Sequence, residues 1–175
     1  SRRALAENAT CRMIVGGIMP GAVRLGLIII AISIIVDQAT KQVALAYFKT
    51  HDAVTVLPFL DFTLAWNRGV SFGMFGDGGV PAWVLALVSL AIAGFLTWQM
   101  LRSTSRKGVI GFALIIGGAL GNVIDRGVYG AVVDFILLHY ERYSWPVFNI
   151  ADTAITIGVV LILIDSLWSK PASTT

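Results

Sequence analysis

Charge is scarce in this chain. Of its 175 residues, 13% are Asp, Glu, Lys or Arg, about half the share found in an average soluble domain. Apolar residues make up 57% and mean hydropathy is +0.81, which excludes a disordered polypeptide and points away from a water-soluble globule. Cysteine is nearly absent: a lone Cys11 rules out an internal disulfide and a CxxC metal knuckle. His51 and His139 lie far apart, with no neighbouring cysteine and no HExxH, so no zinc site is expected. Serine catalysis is not expected either, for lack of an SxxK dyad or of a serine taken to sit in a GxSxG elbow. Net charge is +3, but no Lys/Arg run interleaves with aromatics, so no nucleic-acid surface is expected. Internal repeats are lacking, and the length suits a single domain.

What is present is long apolar runs. Four segments suit the roughly 20 residues that a helix needs to cross a hydrocarbon core: about 22–45, 80–101, 108–126 and 150–168. Residues 22–45 are expected to be a retained span rather than a signal peptide, since Asp37 and Lys41 mark the far end and no small-residue cleavage site stands out. The chain then divides into an N-terminal tail (1–21), one membrane-embedded domain (22–170) and a C-terminal tail (171–175). Arg2, Arg3, Arg12 and Arg24 precede the first span, Arg102, Arg106 and Lys107 join the second to the third, and Lys170 follows the fourth. The longer connections on the other side carry only Lys49, Arg68, Arg126 and Arg142, so positive-inside bias places both termini in the cytosol. Trp98 and Trp168 then fall at the inner boundary, with Trp83 and Trp145 at the outer one.

That topology gathers the polar residues at one face of the membrane. Asp37 and Lys41 end the first span, Asn122, Asp125 and Arg126 end the third, and Asn149 and Asp152 begin the fourth. Asn67, Arg68 and Asp134 belong to the outer connections; only Asp165 sits at the inner end, where Lys170 is expected to compensate it. In the first connection, residues 54–57 and 62–66 are strand-like with a break at Pro58, and Gly69, Gly73, Gly76, Gly78 and Gly79 mark turns. A small sheet on the membrane surface is expected, with Phe59, Phe62, Trp66, Phe72 and Phe75 favouring the headgroup zone. Tyr140, Tyr143 and Trp145 imply a second interfacial segment.

Each polar group admits more than one role. Gly117 and Gly121 form a GxxxG, which packing alone explains. Asn122, Asp125 and Arg126 share one helical face, either as a polar cap or as functional groups. Asp37 and Lys41, four apart, suit an ion pair near the outer surface. Asn149 is positioned to N-cap the fourth helix, and Asp152 either caps that helix or does chemistry there. Asp134 and Asp152, brought to one dry boundary, cannot both ionise easily and tend to share a proton, which is the chemistry of an aspartic protease. Two rivals use the same aspartates: a proton-linked transporter, which needs polar residues at mid-membrane depth, and a Mg²⁺-dependent transferase with Asp125, Asp134 and Asp152 as oxygen ligands.

Five ordered blocks then narrow the choice: Asp37-Gln38-Ala39-Thr40-Lys41, Asn67-Arg68-Gly69-Val70-Ser71-Phe72, Gly117 through Arg126, Val132-Val133-Asp134-Phe135, and Phe148-Asn149-Ile150-Ala151-Asp152-Thr153-Ala154-Ile155. In order and spacing the chain resembles the bacterial lipoprotein signal peptidases (signal peptidase II). The resemblance implies a mainly α membrane protein: four transmembrane helices, a periplasmic β-cradle and a short interfacial helix. It implies an aspartic endopeptidase of the bacterial cytoplasmic membrane, without cofactor, that cuts diacylglyceryl-modified prolipoproteins before the lipidated cysteine and is blocked by globomycin. By motif, Asp134 and Asp152 are the implied catalytic dyad, and Asn67, Gly69, Asn122, Arg126 and Asn149 bind or support substrate. Asp125 is implied to be either catalytic or structural, and Asp37 and Lys41 to be supporting. A monomer is expected, because the site is complete within one chain.

Overall fold

Residues 20–69 and 80–168, which the computed structural model describes, form four long helices and a four-stranded antiparallel sheet. In chain order these are α1 (Pro20–Tyr47), β1 (Val54–Leu57), β2 (Leu60–Asn67), α2 (Ala82–Arg102), α3 (Arg106–Tyr129), β3 (Val132–Tyr140), β4 (Tyr143–Ser144) and α4 (Ile150–Trp168). All four helices are long and apolar enough to cross a membrane. Large aliphatic side chains such as Leu27, Ile35, Val43, Leu87 and Leu163 are exposed on their outer faces. A helix that is apolar on every side yet bare on one has hydrocarbon, not water, as its solvent.

The helices are not equivalent. Over half (56%) of the most apolar stretch of α3 is buried, against 11–17% in the other three, so α3 is the hub. Its glycines explain how. A Cβ on Gly117 would meet Ser33 and the Ile30 carbonyl of α1, and one on Gly118 would meet the Ala151 carbonyl of α4. Gly111 and Gly158 back onto each other's carbonyls across α3 and α4. With little hydrophobic drive between helices in lipid, such close backbone approach is what holds them. Met100 and Ala93 of α2 close the third side against Val109, Ala113 and Ile116.

The third helix is longer at both ends than the sequence reading. Ser105 caps it, its hydroxyl accepting from the Gly108 N–H at 3.3 Å, so Arg106 and Lys107 form the first turn. The helix runs through Gly127 and stops at Gly130, whose φ of 71° suits a left-handed cap. At the Ser105 end of the helix, opposite Gly130, the Ser105 hydroxyl donates to Asp165 at 2.6 Å. The compensating Lys170 expected there lies outside the described residues, as do Cys11 and residues 70–79 with Phe72, Phe75 and the later loop glycines.

The sheet, ordered β1-β2-β3-β4, sits at the other end of the bundle, between α1 and α2 and between α3 and α4 in sequence. Both strands foreseen in the first connection form, and Phe59, Phe62 and Trp66 are exposed on the sheet. No short interfacial helix occurs among the described residues, which leave out 70–79 of the first connection; the Tyr140–Trp145 stretch is a hairpin, with Glu141 at φ 51° in its turn. The run Val-Val-Asp-Phe-Ile-Leu-Leu-His-Tyr is β-branched and aromatic, and it pairs with β2. Phe148 then bridges Ile136, its carbonyl accepting from Phe135 and Ile136 N–H at 3.1 and 2.9 Å. In an antiparallel bridge, two residues back along β3 faces two residues on along the returning chain. Asp134 is thereby set opposite the start of α4.

Two substitutions in α3 test the close helix packing. Gly118→Ala should cost about 1–3 kcal/mol, because its methyl group strikes backbone rather than a pliable side chain. Gly127→Ala, with nothing within 4 Å of the new methyl, should gain about 0.5–1 kcal/mol in helix preference. Thermal unfolding in detergent micelles should shift in opposite directions for the two.

Candidate active site

Apart from backbone, the buried polar groups of the described residues form one cluster: Asp37, Lys41, Asn122, Asp125, Asp134 and Asn149. At its base is an ion network. Lys41 Nζ donates to Asp37 Oδ2 at 2.8 Å and to Asn122 Oδ1 at 2.9 Å, and forms an ion pair with Asp125 Oδ2 at 2.8 Å. Asp37 reaches across to α4 with its other oxygen, accepting the Ala151 N–H at 2.9 Å, while Asp125 Oδ2 accepts the Val133 N–H of β3 at 3.0 Å. The expectation of a surface ion pair for Asp37 and Lys41 is therefore corrected. Their spacing does pair them, but both are completely buried and tie α1 to α3, α4 and β3.

Gln38, quoted in a motif but given no role from sequence, completes this layer. Its amide donates to Asp125 Oδ1 at 2.9 Å, the Gly121 carbonyl at 3.2 Å and Asp37 Oδ2 at 3.2 Å. Gly121 must be small here, because a Cβ would lie 2.5 Å from the Asp37 carboxylate.

Above the ion network lie Asp134 and Asp152, linked by one side chain. Asn149 Nδ2 donates to Asp134 Oδ1 at 2.6 Å. The same residue makes a reciprocal cap with Asp152: Asp152 N–H donates to Asn149 Oδ1 at 3.0 Å, and Asn149 N–H to Asp152 Oδ2 at 3.2 Å. Asp152 Oδ1 accepts from Asn122 Nδ2 at 2.9 Å. Asp152 thus caps its helix with one oxygen and faces the cluster with the other.

Asn67 adds a second donor to Asp134. Its own carbonyl oxygen is held by the Gly69 N–H at 2.8 Å. Gly69 has φ 78°, a conformation that favours glycine, and lies against the Leu85 side chain of α2. Arg126 donates to the Asn122 carbonyl at 3.3 Å and lies within electrostatic reach of Asp152, Asp125 and Asp134. All ten residues singled out from sequence are at this end of the bundle; Gln38 and the Val133 N–H were missed. One motif also needs correcting: Gly69-Val70-Ser71-Phe72-Gly73 does have GxSxG spacing, with Ser71 outside the described residues.

Asp134 is 1% exposed. Burial, reinforced by the Asp152 charge, pushes its carboxyl up from 3.8 to about 6, against the hydrogen bonds from Asn67 and Asn149 and the charge of Lys41. A group so placed exchanges a proton near neutral pH. Two apolar grooves open at this end of the bundle. One of about 570 Å³ lies between the end of α1 and the sheet, bounded by Val43, Tyr47, Phe62 and Phe135. The other, about 350 Å³, has Asp152 on its wall beside Leu138, Trp145, Phe148 and Ile157.

Four membrane-length helices, with a small sheet and a cluster of buried polar residues at one end, define a polytopic membrane protein. Two solved bacterial membrane enzymes, crystallised by the in meso method, share the fold. One has a TM-score of 0.74 at 32% identity, covering 85% of this chain and 96% of its own; the other has 0.72 at 31%, covering 87% and 96%. A family model described as signal peptidase (SPase) II matches residues 29–168. Lipoprotein signal peptidase of Methylobacterium radiotolerans is 50% identical over 149 residues, covering 82% of this chain and 86% of the relative. That of Rhodopseudomonas palustris is 48% identical over 159 residues, covering 86% and 96%. The chain belongs to the signal peptidase II family of membrane proteases.

Two stability tests follow from the buried charges. Asp125→Ala leaves Lys41 short of a counter-charge and should cost about 3–5 kcal/mol, read as a lower unfolding temperature in micelles. For Asp134, between 3.8 and about 6 the folded protein keeps a proton that the unfolded chain has lost. Its contribution to stability therefore falls as pH rises through that window. Asp134→Asn should melt higher than the parent above pH 6 by about 1–3 kcal/mol and should lose this advantage near pH 4.

Proposed function

We propose that this chain is an aspartic endopeptidase that removes the signal peptide from diacylglyceryl-modified prolipoproteins, cutting on the N-terminal side of the lipidated cysteine. The observation that carries the proposal is the single Asn149 side chain joined to both Asp134 and Asp152. Two carboxylates held by one residue, Asp134 by its side-chain amide and Asp152 by its backbone N–H, one of them fully buried, are placed to share a proton and activate a water. The ionised partner takes a proton from that water as it attacks the scissile carbonyl, and the protonated partner donates a hydrogen bond to the developing oxyanion. The roles then reverse as the leaving amine is protonated. The pair titrates as a unit, so the acid and base labels belong to the pair.

The surroundings fit such a substrate. Asn67, held by the Gly69 turn, and Arg126 edge the pair where a peptide backbone would lie. The groove beside Asp152 opens along the lipid-facing side of α4, where an acyl chain can stay in hydrocarbon while the peptide bond sits at the carboxylates. The basic residues flanking the spans support an orientation with both termini in the cytosol and the site at the outer face of the bacterial cytoplasmic membrane. Substrate, bilayer lipid and globomycin-type inhibitors are the partners in this assignment; one chain carries the whole site, which supports a monomer.

A proton-linked transporter is less well supported, since the buried polar side chains of the described residues gather at one end rather than along the membrane. A Mg²⁺-dependent transferase is also less well supported. The oxygens of Asp125 and Asp152 already face N–H donors, which a cation would have to displace.

Cleavage of a lipidated precursor by purified protein should fall by about 10²–10⁴-fold in Asp134→Asn and in Asp152→Asn. It should persist in EDTA and after a serine-directed sulfonyl fluoride, and stop with globomycin. Near-parental cleavage by either variant would refute the dyad.

A further inference from the structure

We propose that Lys41 is a positioning residue for peptide cleavage: it dictates the polarity of the Asn122 amide, so that Asp152 receives an N–H and not a carbonyl oxygen. The proposal rests on the aspartic-dyad assignment and adds to it a group that the mechanism does not otherwise use.

A side-chain amide has two ends of similar shape and opposite chemistry, so its orientation is decided by its partners. Lys41 offers only donors. Its Nζ, 2.9 Å from Asn122 Oδ1, accepts no hydrogen bond and admits only the oxygen end of the amide. Lys41 is held in place, because its ammonium lies 2.8 Å from both the Asp37 and the Asp125 carboxylates and is fully buried. The NH₂ end of Asn122 is thereby aimed at Asp152 Oδ1, at 2.9 Å.

The second amide is set in the same way. The Asp152 backbone N–H, a donor only, occupies Asn149 Oδ1 and turns that NH₂ towards Asp134. The Asn149 NH₂ also lies 3.2 Å from Asn122 Oδ1, so it reinforces the orientation that Lys41 demands. A loop of donors therefore runs from Lys41 through Asn122 to Asp152, and from Asp152 through Asn149 to Asp134. With Asn122 reversed, its carbonyl would face the Asp152 carboxylate and its NH₂ would face an ammonium. Both contacts would be repulsive. The lysine is thus needed for what it donates, over and above its charge.

The test compares two neutral replacements in the full-length protein, cleaving a lipidated precursor in micelles. Lys41→Met keeps length without a donor, whereas Lys41→Gln keeps an N–H for Asn122. Both lose the same charge. We expect Lys41→Met to lose kcat by about 10–100-fold with KM little changed, and Lys41→Gln to recover most of that loss. Equal losses in the two, a parental kcat in Lys41→Met, or a loss confined to KM would each overturn the proposal.

Where melting shows that the Lys41 variants do not fold, Asn122→Asp decides. It still accepts from Lys41 but turns an oxygen on Asp152. A drop in kcat at unchanged KM supports the proposal, and parental turnover overturns it. The dyad is judged separately: active Asp134→Asn or Asp152→Asn would sink the assignment beneath it, whereas inactive dyad variants beside an unaffected Lys41→Met would sink only this inference.

Discussion

An ammonium group cut off from water must place all three of its N–H bonds on acceptors, or it is not worth burying. Lys41 meets this need with hydrogen bonds to Asp37 and Asn122 and an ion pair with Asp125. Because those acceptors reach on to the Ala151 and Val133 N–H groups, one buried cation sets α1 and α3 against the first turn of α4 and the start of β3. Replacing such a network by apolar side chains often costs little stability, whereas breaking one side of it costs much. Its retention at the sheet end of an otherwise greasy bundle is better explained by the geometry that it imposes than by the energy that it supplies.

That geometry has to be built by backbone that behaves oppositely at the two levels of the site. Within the bundle, α3 supplies glycine at the points of closest approach, so helices meet with carbonyls almost in contact and little freedom to slide. Above the bundle, Asp134 rides on a strand whose register is set by β2 on one side and by the Phe148 bridge on the other. Helix contacts thus fix the depth of Asp152, and strand pairing fixes Asp134. Asn149, between the bridge and α4, is the residue at which the two systems join. The carboxyl of Asp134, which is buried, and that of Asp152, which is partly exposed, then occupy unlike surroundings.

The fold was legible where hydrophobicity decides structure. Long apolar runs could only be helices in lipid, since no other open backbone arrangement satisfies its own hydrogen bonds there. The alternating residues 54–57 and the stretch around 62–66 could be recognised as strands by their side chains and by Pro58. Recognition failed along β3, where Tyr140, Tyr143 and Trp145 drew attention to an interfacial segment and away from the run that pairs with β2. Gln38 escaped because nothing in its own neighbourhood marks it; its partners Gly121 and Asp125 lie in another helix.

From sequence alone came the four spans, the end of the bundle where polar residues gather, and the acidic residues whose presence in so apolar a chain needed a reason. Local composition suffices for these, because transfer into lipid is close to a residue-by-residue sum. Which carboxylate pairs with a cation and which stays available for chemistry was decided only by tertiary structure. Asp125 stands beside Arg126 in sequence yet bonds Lys41 from α1, and Asp152 caps its own helix while facing Asn122. Hydrogen bonds depend on distances across helix contacts of a few ångströms, and spacing along the chain does not encode them.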